Sequence, residues 1–237
     1  MLFFGINPVN ECLRAGLKPD CLLLEDGKQD NPRIAQILRQ ARHMRILVET
    51  HHDLRGICQH DAHQGIAAEL PDLDQSLPAH ADLGPRVVML DGLQDPHNFG
   101  AALRVCDVFG SHQVIYHKGN SSGLTPVAIK SSAGAAFHLQ IYHSNLNHAA
   151  RQLLDNGYQL LVLDAKGPVS LYDCPVPEKF CLTIGSEDKG VRHVIQRLAT
   201  SMVHIPMFGH VDSLNVSCAL SAALSEFARR GPMPPTS

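Results

Sequence analysis

The chain has 237 residues, a formal net charge of −3, 44% hydrophobic and 18% charged residues, no Trp and few aromatics. That length allows one large domain or two small ones around a substantial, mainly aliphatic core, and the composition is ordinary for a soluble globular protein. The charge excludes an overall basic nucleic-acid binder while leaving room for a local basic patch. No apolar run approaches the ~20 residues of a membrane span. The opening MLFFGINPVNE lacks the basic and long apolar regions of a signal peptide. The cysteines, Cys12, Cys21, Cys58, Cys106, Cys174, Cys181 and Cys218, are odd in number and form no C-x-x-C. They point to reduced, buried thiols in a cytoplasmic protein.

Residues 1–70 read as a small α/β unit. Asn7 to Gly16 has a helical face of Val9, Cys12 and Leu13, with Gly16 as a stop. Cys21 to Leu24 reads as a buried strand. Asn31-Pro32 opens a helix through His43, with Pro32 suited to the first turn. Arg45 to Glu49 and Gly65 to Leu70 read as further strands. Residues 71–86, rich in Pro, Asp and Ala and without periodicity, form the best boundary, a linker.

The second unit, 87–230, alternates strands at 87–91, 113–116, 139–142, 159–164, 180–185 and 202–205 with helices at 99–109, 146–156, 190–198 and 214–230. This pattern predicts a mostly parallel sheet covered on both faces, with ligands beyond the C-terminal strand ends. The tail Gly231 to Ser237 (GPMPPTS) reads as disordered.

Three stretches concentrate the chemistry. Asp91 to Gly110 turns through Asp95-Pro96-His97-Asn98 into a helix apolar nearly all round, broken by Arg104 and Asp107. Such a helix is expected to be buried, and its arginine to need a partner or a task. Gly185 to Gly190 (GSEDKG) holds Glu187 in a glycine-bounded turn after a buried strand. It is no Walker loop, because Val191-Arg192 stands where Lys-Ser/Thr is required. An ordinary strand–helix connection fits that local pattern equally well. In the third stretch Ile205-Pro206-Met207 ends a strand, Ser213 reads as an N-cap, and Ser217, Ser221 and Ser225 recur every fourth residue among alanines. That small-residue ridge suits close helix packing within the chain or across a homodimer. The sequence cluster His51, His52, Asp53, Cys58, His60, Asp61 and His63 follows no recognised zinc spacing, so no metal site is expected. Cys106 and Cys218 read as inert core thiols.

Together the three stretches resemble the ordered motifs of the SpoU/TrmH family of RNA ribose 2′-O-methyltransferases in the SPOUT superfamily. The matching residues are Asp95-Pro96-x-Asn98-x-Gly100-x-x-x-Arg104, then Gly185-x-Glu187-x-x-Gly190, then Ile205-Pro206-Met207 with Ser213-Leu214-Asn215-Val216-Ser217. The first unit, with Gly5-Ile6-Asn7-Pro8-Val9, is similar to the family's small L30e-like substrate-binding domain. The resemblance implies an α/β fold with a C-terminal trefoil knot, an exception among proteins. It also implies S-adenosylmethionine held by Gly185, Ile205, Met207 and Leu214. Arg104 would activate the ribose hydroxyl, as a base or as a cation that stabilises the alkoxide, aided by Asn98, Glu187, Ser213 and Asn215. A homodimer and an RNA substrate follow from the same resemblance: a guanosine of 23S ribosomal RNA, with transfer RNA as the competitor. Basic residues available to RNA are Arg14, Lys18, Arg33, Arg39, Arg42, Arg45 and Lys130. The alternatives from other classes are a non-catalytic ribosome-assembly factor and a small-molecule α/β enzyme.

Overall fold

The computed structural model describes residues 1–79, 83–211 and 213–231. The expectation for the tail therefore lies, from residue 232 onward, outside the described residues.

The first unit consists of β1 (Leu2–Phe4), α1 (Ile6–Arg14), β2 (Cys21–Glu25), α2 (Pro32–His43), β3 (Leu47–His51), α3 (Arg55–Cys58) and β4 (Ile66–Glu69). Its four strands run in the order β1-β4-β2-β3. Helix α2 starts where the sequence puts it. The Asn31 side chain accepts from the Arg33 and Ile34 N–H groups, and Pro32 fills the first turn, where its missing N–H costs nothing. Buried Ile34, Ile37 and Ala41 are spaced for one helical face.

The second unit adds β5 (Asp74–Ser76), β6 (Arg86–Asp91), α4 (Pro96–Val108), β7 (Gln113–Tyr116), α5 (Pro126–Ser131), β8 (Gln140–His143), α6 (Leu146–Asp155), β9 (Gln159–Leu163), β10 (Val169–Ser170), β11 (Phe180–Gly185), α7 (His193–Gln196), β12 (Ser201–His204) and α8 (Val216–Arg230). Its eight strands form one sheet in the order β10-β12-β9-β11-β6-β7-β8-β5, and every pairing is parallel. The central strands β6 and β11 are buried along their whole length, as helices on both faces require. No helix among the described residues is long and apolar enough to cross a membrane.

Several expectations are corrected. Within the expected linker 71–86, Asp74–Ser76 pairs with Ile141–His143 as an edge strand, too short to show periodicity. Helix α4 is buried on one side only. Phe99, Gly100, Ala102, Leu103 and Cys106 are covered, whereas Arg104 is exposed and Val108 is 67% exposed. The predicted helix at 190–198 shrinks to His193–Gln196, because Gly190 takes φ 63° and bridges back to Ser186. Helix α8 begins at Val216 with Asn215, not Ser213, as its cap: the Asn215 side chain accepts from the Ser217 N–H. Cys218 is exposed, unlike the other six cysteines, because it falls outside the buried Val216, Leu220, Ala223, Leu224 and Phe227 face. Burial pushes the Cys12 and Cys181 thiols up to about 12, so they stay protonated and inert.

The two units share one core. Phe3 meets Phe137 with ring centroids 5.0 Å apart. Lys130, expected to be available for RNA, instead donates to the Ala62 carbonyl at 2.8 Å and lies over the Phe4 ring. Within the second unit, Asp74 anchors the edge strand β5. Its carboxylate, 10% exposed, accepts from the Tyr116 hydroxyl at 2.5 Å and lies 3.0 Å from the Lys118 ammonium and 3.2 Å from His143 Nδ1. Burial raises the Asp74 carboxyl, but the hydrogen bonds from Tyr116 and Lys118 and the nearby positive charges outweigh it, so the group sits below its ordinary range.

A carboxyl lowered in the folded state contributes stability that is present above its unfolded pKa near ~4 and is lost as pH falls through the folded value. Asp74→Asn is therefore expected to cost about 1–3 kcal/mol at neutral pH. The deficit should shrink in acid as the native carboxyl protonates. Urea unfolding of both proteins at neutral pH and at about pH 3 checks this.

Candidate active site at the junction of two central strands

Strands β6 and β11 are neighbours, with Gly185 opposite Asp91 at their C-terminal ends. From there the chain leaves in opposite directions. β6 leads through α4 to β7 on one side, and β11 leads through α7 toward β12 on the other. Such a divergence opens a crevice beyond the strand ends.

The Asp91 carboxylate fixes the loop that follows β11. It is 1% exposed and accepts from Arg192 twice, from the backbone N–H at 2.9 Å and from Nε at 2.8 Å. The Asp91 carbonyl also accepts from the Ser186 N–H. The loop closes on itself through Gly190 N–H to the Ser186 carbonyl at 2.8 Å. Gly185 is obligatory here: a Cβ would stand 2.0 Å from the Gly190 carbonyl carbon. Gly100 is equally constrained, since a Cβ there would meet the Ala128 carbonyl oxygen at 2.2 Å, where α4 crosses α5.

Glu187 gathers the three stretches. Its Oε1 accepts from Asn215 Nδ2 at 2.7 Å, from the Val216 N–H at 3.2 Å and, more weakly, from Asn98 Nδ2 at 3.5 Å. Asn215 Nδ2 also donates to Asn98 Oδ1 at 3.0 Å. Asn215 Oδ1 faces the other way and accepts from the Ser217 N–H and hydroxyl. The Asn215 amide thus caps α8 with one end and ties Glu187 to Asn98 with the other. All three side chains remain at the surface, where a large substrate can reach them.

Two cavities flank this junction. A cleft of about 560 Å³ is lined by Gly185, Glu187, Ile205, Met207, Ser213 and Leu214, with Leu163, Ile184 and Ala219 as apolar floor and Asp164, Lys166 and Gln196 as polar rim. That size and mixture suit a cofactor-sized molecule with an apolar ring system and a few polar groups. A second hollow of about 400 Å³ runs from Asp91 to Asp95 past Asn98 and Asn120, and shares the Ser186–Gly190 loop and Val216 with the first.

The structure therefore brings together every site residue expected from the sequence except one. Gly185, Ile205, Met207, Leu214, Ser213 and Glu187 line the cleft, while Asn98 and Asn215 join Glu187 at its edge. Arg104 lines neither cavity. It forms no hydrogen bond or ion pair with any described residue. Six residues along α4 from Asn98, it lies about 9 Å further down the axis and about 120° round it. The arginine expected to need a partner is an exposed cation with none among the described residues. Sequence reasoning missed Asp91 and Arg192, whose pairing spans the fold. It also missed Asp164, although a carboxylate at the end of a predicted strand was a visible signal.

Comparison with known proteins places these features in a family. The profile of the SpoU rRNA methylase family matches residues 85–225, and that of the RNA 2′-O ribose methyltransferase substrate-binding domain matches residues 2–76. An uncharacterized tRNA/rRNA methyltransferase of Mycolicibacterium gilvum is 34% identical over 239 residues, covering 97% of this chain and 76% of its own. The SpoU methyltransferase AviRb of Streptomyces viridochromogenes, solved with AdoMet, superposes with a TM-score of 0.79 at 23% identity, over 97% of this chain and 89% of its own. A TrmH-family protein of Porphyromonas gingivalis gives 0.78 at 26% identity, over 97% and 90%. With the methylase profile spanning more than half of the chain, and the three motif stretches meeting at one crevice, the protein belongs to the SpoU rRNA methylase family.

Proposed function

We propose that this protein transfers a methyl group from S-adenosylmethionine to a ribose 2′-hydroxyl of RNA, at a guanosine of 23S ribosomal RNA. The observation that carries the reading is the meeting of Asn98, Glu187 and Asn215 at the edge of a cofactor-sized cleft. The substrate-binding profile over residues 2–76 adds an RNA-facing unit. There Arg14, Lys18, Arg33, Arg39, Arg42 and Arg45 are exposed.

S-adenosylmethionine, when bound, supplies an electrophilic methyl carbon on a sulfonium that leaves as a neutral thioether. The residues present fit it. The apolar floor beneath Ile205, Met207 and Leu214 would take the adenine, with main-chain groups around Gly185 and Leu214 reading its edge. The Asp164 carboxylate stands among the rim residues available to sugar hydroxyls. In this proposal the C-terminal segment is threaded as the family's trefoil knot.

A ribose hydroxyl is a weak nucleophile until its proton is removed or its charge is stabilised. Glu187, already accepting from Asn98 and Asn215, fixes the position of both amides and leaves Ser213 to orient the substrate. Arg104 acts from a partner subunit. Exposed and away from the cleft of its own chain, it reaches a reacting hydroxyl only across a homodimer interface. The exposed Cys218 and Ala222 of α8 and Val108 of α4 offer small and apolar surface for that interface. As a guanidinium it holds a phosphate and the developing alkoxide, and the hydroxyl proton passes to solvent water. The free, mostly buried thiols suit a cytoplasmic enzyme. Transfer RNA is the second reading, favoured by the tRNA/rRNA naming of the relatives.

Calorimetry is expected to show S-adenosylmethionine binding to the purified protein, weakened about tenfold or more by Gly185→Ala, which forces the Gly190 backbone out of place. No binding to the wild type removes the methyltransferase reading. Arg104→Ala should lower the single-turnover rate by about 10² or more with cofactor affinity nearly unchanged; a rate like the wild type takes Arg104 out of the mechanism. Light scattering should give a dimer at micromolar concentration. Mapping 2′-O-methyl groups in ribosomal and transfer RNA, with and without the gene, should show a site lost from 23S RNA; a loss confined to transfer RNA selects the second reading.

A further inference from the structure

We propose that the N-terminal unit holds a divalent transition-metal ion of the zinc class at Glu25, Asp53 and His63. One ligand atom from each lies within 4.8 Å of the others. Ligands about 2.0–2.2 Å from a shared tetrahedral ion stand about 3.3–3.6 Å apart, so closure needs a shift of up to about 1.5 Å, which the exposed Asp53 can supply. The residues come from three places: Glu25 ends β2, Asp53 follows β3, and His63 sits in a short 3-10 turn (Asp61–His63) before β4. No sequence spacing reveals them as a set, because Glu25 lies far from the histidine-rich stretch that holds the other two.

The environment points to a missing cation. Glu25 Oε2 is closed off from solvent and has no hydrogen-bond partner among the described residues. It stands 3.2 Å from His63 Nδ1, and the His63 side chain is only 9% exposed. Nδ1 does not donate to this oxygen: it accepts from the Gly65 N–H at 3.1 Å. The Glu25 oxygen is thus shielded from water without a hydrogen bond among the described residues, which is unfavourable unless a positive centre stands beside it. Lys28 does not supply it, lying 3.9 Å from the other oxygen, Oε1, and half exposed. His51 stands opposite Glu25 in the β2–β3 register, but its Nε2 lies 3.7 Å from Glu49 Oε2 and it is outside the converging set of three. One oxygen of Asp53 accepts from the Arg55 N–H, which orients the carboxylate and leaves its second oxygen for the ion.

An imidazole with two carboxylates is a borderline donor set that suits zinc or its neighbours better than a soft-metal or an all-oxygen ion site. Binding through Nδ1 exchanges one short-range contact from Gly65 for a metal bond. The ion would clip the rim of the first sheet, where Gln59 and Gln64 take positive φ. Its role is that of a structural clasp, independent of methyl transfer.

The test is titration of chelator-treated protein with Co²⁺ and Zn²⁺. One equivalent of Co²⁺ should bind with visible d–d bands and without a thiolate charge-transfer band, and Zn²⁺ should displace it and raise the thermal midpoint. Glu25→Gln, His63→Gln and the surface change Asp53→Asn should each weaken uptake about tenfold or more and abolish the zinc-dependent rise in midpoint. Asp53→Asn keeps the test decisive if a buried substitution fails to fold. No uptake by the wild type, uptake unchanged in folded Asp53→Asn and His63→Gln, or a thiolate band that puts the ion on a cysteine overturns the proposal.

Discussion

The Asp91 carboxylate is the interaction on which the active-site architecture depends. It ends the central strand of an eight-stranded sheet and is almost wholly removed from water. A carboxylate so placed is costly unless paired and hydrogen-bonded. Arg192 meets that need with a backbone and a side-chain N–H at once. The loop between Gly185 and Arg192 is thereby pinned at both ends, at one by strand pairing and at the other by charge. Gly185 and Gly190 then approach more closely than any side chain allows. Glu187 is presented from a loop with little freedom left.

That rigidity explains how one carboxylate organises segments far apart in the chain. Glu187 accepts from the first N–H of α8 and from the amide that caps that helix. A negative charge at a helix N-terminus is also favoured by the helix dipole. The same amide reaches Asn98 on α4. The two cavities share the loop that carries Glu187, so one set of backbone constraints positions both. Arg104 stands outside this arrangement. Its isolation on one chain is what makes a second chain part of the proposed chemistry.

Much of the fold was legible because its strands are fully buried and its helices are capped by the chemistry that favours caps. Phe180–Gly185 and Gln113–Tyr116 match their predicted spans, since continuous apolar runs between turns have few other uses. Asn31-Pro32 marked the start of α2 correctly. The edge strand Asp74–Ser76 was not legible. Its stability comes from pairing with β8 and from the bonds of Asp74 to Tyr116 and His143, none of which leaves a local pattern. The cap of α8 was misread as Ser213, because serine and asparagine are comparable caps and only the Glu187 contacts select Asn215. Cys218 and Val108 were misplaced because residue type alone does not say which helical face meets a neighbour.

By itself the sequence determined the α/β class, the parallel sheet and the three motif stretches, whose resemblance to a family alone pointed to cofactor residues. These follow from hydrophobic run length, cap chemistry and motif order, which are local properties of the chain. Tertiary structure alone decided that β11 lies against β6, so that Glu187 meets Asn98 and Asn215. It decided that Arg104 faces away, and that Glu25 lies beside His63 with the exposed Asp53 close by. Each of these is a relation between residues distant in sequence. It is set by strand order and by the pairing of buried charges, and neither is encoded at any one position.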